Sequence, residues 1–344
     1  MRLEQSIIEG LASLGTLPES LCCSIATGVV STVDTQMIID DAHFHALEQG
    51  KVLPTHAQQP LCEAEVEIER LLQRIHAEGF MGGNFHRLVR QFGSILFAMI
   101  ASDAQQQTAA SWHAQGIAHF GGFLMADAGG SSIQQWNTML TCEDESLKLV
   151  VDKVWIIEGH KLDYASIVAA TSQKLYPSIV LVPPDAFSTL SRSPVGRPFL
   201  DGTLQLGNVQ GTVFLEKDAV LGKGSLASTA LFLSKIRPRF VRALMGHVQW
   251  LASVGKVTPS AMEWEAIQAL DVIATNYCHS LVERAPSLPI ALALKFSANQ
   301  VLLGLVASGR VQDADTRRDL MAFSRMEGSS YRCLFELAAK LRAR

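Results

Sequence analysis

Apolar positions recur at helical spacing from Glu63 to Glu78, where Val66, Ile68, Leu71, Leu72 and Ile75 form one stripe. Phe85 to Ala101 is apolar most of the way round, the pattern of a buried helix. The polar cluster Asp103 to Thr108 breaks it, and a short helix follows from Ala109. Near His119 the pattern changes to short branched runs: Phe123–Met125, Met139–Cys142, Leu147–Val151, Val154–Ile157, Ser166–Ala170, Ile179–Val182, Leu204–Leu206 and Thr212–Leu215. Turn signals such as Ala128-Gly-Gly, Pro183-Pro-Asp and Leu200-Asp-Gly separate them, which predicts a β barrel or sandwich of about 100 residues. From Ser225 onward the helical period returns, with helices expected over 226–253, 259–283, 288–307 and 313–342. The predicted class is α+β and multidomain. An N-terminal helical domain (1–118) precedes a central β domain (119–222) and a C-terminal four-helix bundle (223–344).

A chain of 344 residues is long enough for two or three cores. Apolar residues make up 48%, charged residues 18%, and the mean hydropathy is +0.19, a composition that points to a large buried surface between subunits. The net charge of −4 and the scattered Lys and Arg argue against nucleic-acid binding. The longest uninterrupted apolar run, Ile95 to Ala101, is far short of the roughly 20 residues of a membrane span. Six cysteines without a C-x-x-C pair read as reduced thiols in a cytoplasmic protein, and MRLEQSIIEG does not read as a secretory signal.

Few stretches carry candidate chemistry. His43-Phe-His45 lacks further ligands at a standard metal spacing, so no metal site is expected. Leu221-Gly-Lys-Gly-Ser lacks the P-loop spacing, and neither a nucleophile elbow nor a dinucleotide fingerprint is present. Ala126-Asp-Ala-Gly-Gly-Ser-Ser132 leaves a strand with small residues and hydroxyls, the makings of a nest for phosphate oxygens or of a plain tight turn. Trp155 lies in a strand, where it is either core or a stacking surface for a planar cofactor. Glu327 stands between Met326 and Gly328 in a stretch that otherwise reads helical, as a surface charge or as a catalytic base.

Taken in order, these stretches resemble the acyl-CoA dehydrogenase family. Phe123-Leu-Met-Ala-Asp-Ala-Gly-Gly-Ser-Ser132 is similar to the family's strand and turn T-E-P-G-A-G-S. Leu149 to Gly159, LVVDKVWIIEG, is similar to L-N-G-x-K-x-W-I-T-N-G. Phe214 to Gly222 resembles the segment that closes the β domain, and Lys235-Ile-Arg-Pro238 resembles K-T-R-P. Gly246 falls at the family's helix glycine. Arg318-Asp319 followed by Glu327-Gly-Ser-Ser330 resembles R-D and Y-E-G-T-S.

The resemblance implies an FAD-dependent α,β-dehydrogenation of an acyl thioester, carried on CoA or on an acyl carrier protein. Glu327 would take the α proton and the flavin would accept the hydride. By position, the backbone near Phe123 and Met125 would hold the flavin ring, Ser132 would meet the pyrophosphate or the substrate end, and Trp155 would lie against the isoalloxazine. Ser329 would contact FAD, and Arg237 would help hold the thioester's carrier. Ala126 and Ile157 stand where the family has flavin-facing threonines, and the region that reaches the neighbouring subunit's FAD is reduced to Val254-Gly-Lys-Val. The family's usual homodimer or homotetramer is implied as well; acyl chain and electron acceptor are left open. Two alternatives remain: a non-catalytic relative acting as a binding partner or hetero-oligomer subunit, and a flavin monooxygenase of the same fold.

Overall fold

A computed structural model describes residues 55–342, apart from 82, 119, 131, 144, 173–175, 225 and 281–286. The expected helical character of 1–54 and His43-Phe-His45 lie outside the described residues. The elements are α1 (Thr55–Glu78), α2 (Asn84–Ile100), α3 (Asp103–Ala114), β1 (Gly121–Leu124), β2 (Met139–Glu143), β3 (Ser146–Ile157), β4 (Tyr164–Thr171), β5 (Pro177–Val182), α4 (Pro184–Ser188), β6 (Ser191–Phe199), β7 (Leu204–Leu215), α5 (Leu226–Ser253), α6 (Ala261–Ser280), α7 (Leu288–Ala307), α8 (Ala314–Phe323) and α9 (Ser330–Arg342). By its internal contacts the chain forms two compact units. One is helical and contains 68–85 and the chain from 230 onward; the other contains 86–229 and the first part of α1.

In the helical unit, α7 is the centre, packed against α6, α8 and α9. It is long and apolar enough to cross a membrane, an element the run-length reading passed over, yet 72% of that stretch is buried inside the protein. It therefore serves as a core helix, surrounded by other helices rather than lipid. Phe80, Phe85 and Phe323 meet at ring distances of 5.0–5.3 Å, and His247 stacks on Phe80 at 4.3 Å. The Phe80 amide donates to His247 Nδ1 at 3.2 Å, and burial pushes the imidazole down to about 3, so His247 is a neutral acceptor. Gly246 lets α1 approach α5, because a Cβ there would lie 2.9 Å from His76 Cδ2.

The single helix expected over 313–342 is two helices, so the described residues of the C-terminal segment hold five helices rather than four. Glu327 (φ 56°) and Gly328 (φ 120°) lie in the connection between α8 and α9. Both are left-handed conformations, which no helix interior sustains. The polar cluster at Asp103 also acts differently from expectation. It starts α3 rather than ending helical structure, because Ser102 and Gln105 form a reciprocal capping box.

The other unit is built on one seven-stranded mixed sheet, ordered β1-β4-β2-β3-β7-β6, with β5 on β4. β1 and β2 run parallel to β4, while the β2–β3, β3–β7 and β6–β7 pairs are antiparallel. The separate runs at 147–151 and 154–157 form the single strand β3, and those at 204–206 and 212–215 form β7. Along β3 the buried positions alternate: Leu147, Leu149, Val151 and Lys153 all point into the sheet core.

Candidate functional site

On the sheet unit the site begins with a broken alternation. Continuing the period of β3 would bury Trp155. A bulge between Lys153 and Ile156 instead puts Trp155 at φ 59°, turns its indole outward and buries Ile156 in its place. Trp155 is 60% exposed. An indole held out on a strand, its backbone in a strained conformation, is a ready stacking surface.

Beside it the turn at 125–130 is tied down by a buried ion pair. Lys153 Nζ donates to Asp127 Oδ2 at 3.3 Å and to the Met125 carbonyl at 3.1 Å, with both charged side chains inaccessible to solvent. The Asp127 carboxylate also accepts from the amides of Gly129, Asn137 and Thr138 at 2.8–3.1 Å. Burial pushes this carboxyl up, but the hydrogen bonds and the charge of Lys153 outweigh it and hold the carboxyl below its usual range. Lys153 is pushed down to about 8 by burial, against the pull of Asp127. The ammonium also lies 4.8 Å from the Trp136 ring centroid.

The Ala126 carbonyl accepts from Val154 N at 3.1 Å, so Met125 and Ala126 run alongside the Trp155 bulge, with Ile157 two residues further on. Phe123 pairs with Ser166 in the β1–β4 ladder. Ser132 starts a short turn, and its hydroxyl bonds the Gln134 side chain. Gly129 is required where it is: a Cβ there would stand 1.8 Å from the Gln135 carbonyl oxygen, and both partners are backbone. Gly129→Ala should therefore lower the melting temperature by several degrees and displace the Gln135–Asn137 backbone. Thermal unfolding measures the first effect, and amide protection of Asn137 and Thr138 the second.

On the helical unit the expected residues gather around the α8–α9 connection. Arg237, 1% exposed, donates from Nε to the Glu327 backbone carbonyl at 2.8 Å. Its buried Nη1 has no partner among the described residues. The Glu327 side chain is half-buried as a whole. Burial pushes its carboxyl above the ordinary 4.5, against the opposing charges of Arg237 and Lys295. Ser329 caps α9: its hydroxyl accepts from Arg332 N at 3.5 Å and its carbonyl from Cys333 N at 2.9 Å.

Three members of this cluster were not singled out from sequence. Lys295, Asn299 and Cys333 are all fully buried beside the connection. A signal existed for two of them. Lys295 is the one charged residue in the apolar helix LPIALALKFSANQVLLGLVA, and Asn299 follows one turn later on the same face. Asp127 was missed as the partner of Lys153, because a turn Asp has too many ordinary uses.

No protein-family description matches the chain, and no curated protein sequence is significantly similar to it. Solved structures are similar to it in fold. Glutaryl-CoA dehydrogenase from Mycobacterium smegmatis is 14% identical, with 96% of each chain covered and a TM-score of 0.57. Butyryl-CoA dehydrogenase from Megasphaera elsdenii is 14% identical over 87% of this chain and 96% of that one, with a TM-score of 0.57. Nitroalkane oxidase in complex with its competitive inhibitor spermine is 12% identical over 99% and 93%, with a TM-score of 0.65. At these identities the likeness is one of fold.

Proposed function

The chain has the acyl-CoA dehydrogenase fold, and from that premise we propose that it is an FAD-dependent enzyme that dehydrogenates an acyl thioester, with Glu327 as the base. The observation that carries the reading is the environment of Glu327. A carboxyl that burial makes more basic, in a turn fixed by a buried arginine, is suited to removing a weakly acidic proton.

The α C–H of a thioester is a weak acid. Glu327 accepts that proton, and Arg237 holds the base's backbone so that its carboxylate keeps one position. FAD, when bound, supplies the hydride acceptor that no side chain offers. The residues present fit a planar ring on the sheet unit, because the outward Trp155 gives it a stacking surface. Ala126 and Ile157 offer no hydroxyl, so the polar edge of the ring is left to backbone groups of this region. The reading carries with it a homodimer or homotetramer in a reducing compartment such as the cytoplasm, in keeping with the free thiols of Cys142, Cys278 and Cys333.

The test is an absorbance spectrum of the purified protein, taken before and after adding FAD. Bound flavin should give bands near roughly 370 and 450 nm, and those bands should bleach when acyl thioesters are added without oxygen. Trp155→Ala should weaken FAD binding by about tenfold, the scale of one aromatic stacking contact. Absence of bound flavin at saturating FAD would overturn the enzyme reading in favour of a non-catalytic binding role.

A further inference from the structure

The turn that carries Glu327 is held at two successive carbonyls. Arg237 Nε bonds the Glu327 carbonyl, and Asn299 Nδ2 bonds the Gly328 carbonyl at 2.9 Å. The other end of the Asn299 amide, Oδ1, accepts from Lys295 Nζ. Lys295 Nζ also donates to the Phe323 carbonyl at 3.2 Å and lies 5.4 Å from the Phe240 ring centroid. Both Lys295 and Asn299 are 0% exposed.

An ammonium in a helical core is expensive, and an apolar residue of similar size would pack there at lower cost. Its presence calls for a partner. The groups that act on it electrostatically are Cys333 from α9, Glu327 from the α8–α9 connection and Arg237 from α5. Glu327 is the carboxylate among them. Gly328 leaves no slack in this arrangement: a Cβ there would lie 2.9 Å from Cys333 Sγ and 3.3 Å from Arg237 Nη2.

We propose that Lys295, acting with Asn299, is a positioning residue for Glu327: through Asn299 it anchors the Glu327–Gly328 turn, and it adds to the positive charge that Arg237 already places near the carboxylate. The inference rests on the reading of Glu327 as the base, and it names the group that regulates that base. Burial pushes Lys295 down to about 7, so its charge is gained and lost near neutral pH. The productive state has Glu327 ionised and Lys295 protonated. Activity then rises with pH as Glu327 loses its proton and falls as Lys295 loses its own, and the two titrations belong to the pair.

The test is carbon-13 NMR of the full chain without added flavin, labelled at the glutamate carboxyls and lysine ε carbons, with Glu327→Gln assigning the resonance. In wild type the Glu327 signal should show a second inflection at the pH where Lys295 titrates. In Lys295→Met that inflection should vanish and the main one should move up, the effect of losing an opposite charge. Lys295→Arg should keep the main inflection low. A Glu327 titration unchanged in Lys295→Met would overturn the proposal. If that variant does not fold, wild type decides alone: no shared inflection overturns the proposal. Coupling that persists while Glu327→Gln still turns over would keep the Lys295–Glu327 pair and overturn only the base reading.

Discussion

Glu327→Gln should lower the rate of thioester dehydrogenation by about 10³-fold, inside the roughly 10²–10⁴ that a positioned general base contributes. The substitution keeps size and polarity, so FAD binding and the backbone contact from Arg237 should be retained. The pH dependence has a definite sign. Because burial raises the folded-state pKa above 4.5, wild-type activity should climb with pH through a value above the ordinary carboxylate range. The same shift makes the folded state bind more protons than the unfolded state in that window. Stability conferred by the protonated carboxyl is therefore lost as pH rises through the folded pKa. Glu327→Gln has no carboxyl to titrate, so this pH dependence of the melting temperature should be absent from it. Steady-state rates and thermal melts from about pH 5 to 9 check both statements. A variant within tenfold of wild-type activity would remove Glu327 from the mechanism.

Asp127→Ala should cost about 3–5 kcal/mol, the usual result of breaking a buried pair and leaving its partner charged. Three amides and Lys153 converge on this carboxylate, and each would lose its acceptor. Asp127→Ala combined with Lys153→Met should be less destabilised than Asp127→Ala alone, because the uncompensated ammonium is gone. Urea unfolding measures all the variants. Since the folded-state pKa of Asp127 is depressed, its contribution is fully present above 3.8 and is lost as pH falls through the folded value. The wild type should lose part of its stability in that acid range, and the double variant should not lose this part. Loosening the latch should also release the segment beside the Trp155 bulge, so FAD binding should weaken together with stability.

The helical stretches were the most legible in sequence, because an apolar stripe of period 3.6 depends on composition alone. The reading of 226–253 and 288–307 coincides with α5 and α7. β6 was not legible. Its Ser191 to Phe199 carries Pro194 and Pro198 and little apolar alternation, which an edge strand tolerates and a central strand does not. The break at Glu327 was hidden because Met326 and the residues after Gly328 continue a helical pattern. The left-handed turn is imposed by tertiary bonds from Arg237 and Asn299, which no local window contains. Trp155 shows the same limit: strict alternation predicts a core residue, and one bulge reverses it. The ordered motifs pointed to Glu327, Trp155 and Arg237 as candidates. What they could not supply was Lys295, whose significance comes from what faces it in the folded bundle.

The most direct test of the account is the loss of α deuterium from a deuterated acyl thioester incubated with the FAD-loaded protein in ordinary water, followed by mass spectrometry. This reads proton abstraction without requiring turnover. The account predicts wash-out in wild type and none above the uncatalysed level in Glu327→Gln. Equal wash-out in the two proteins would contradict it, because another group would then be removing the proton.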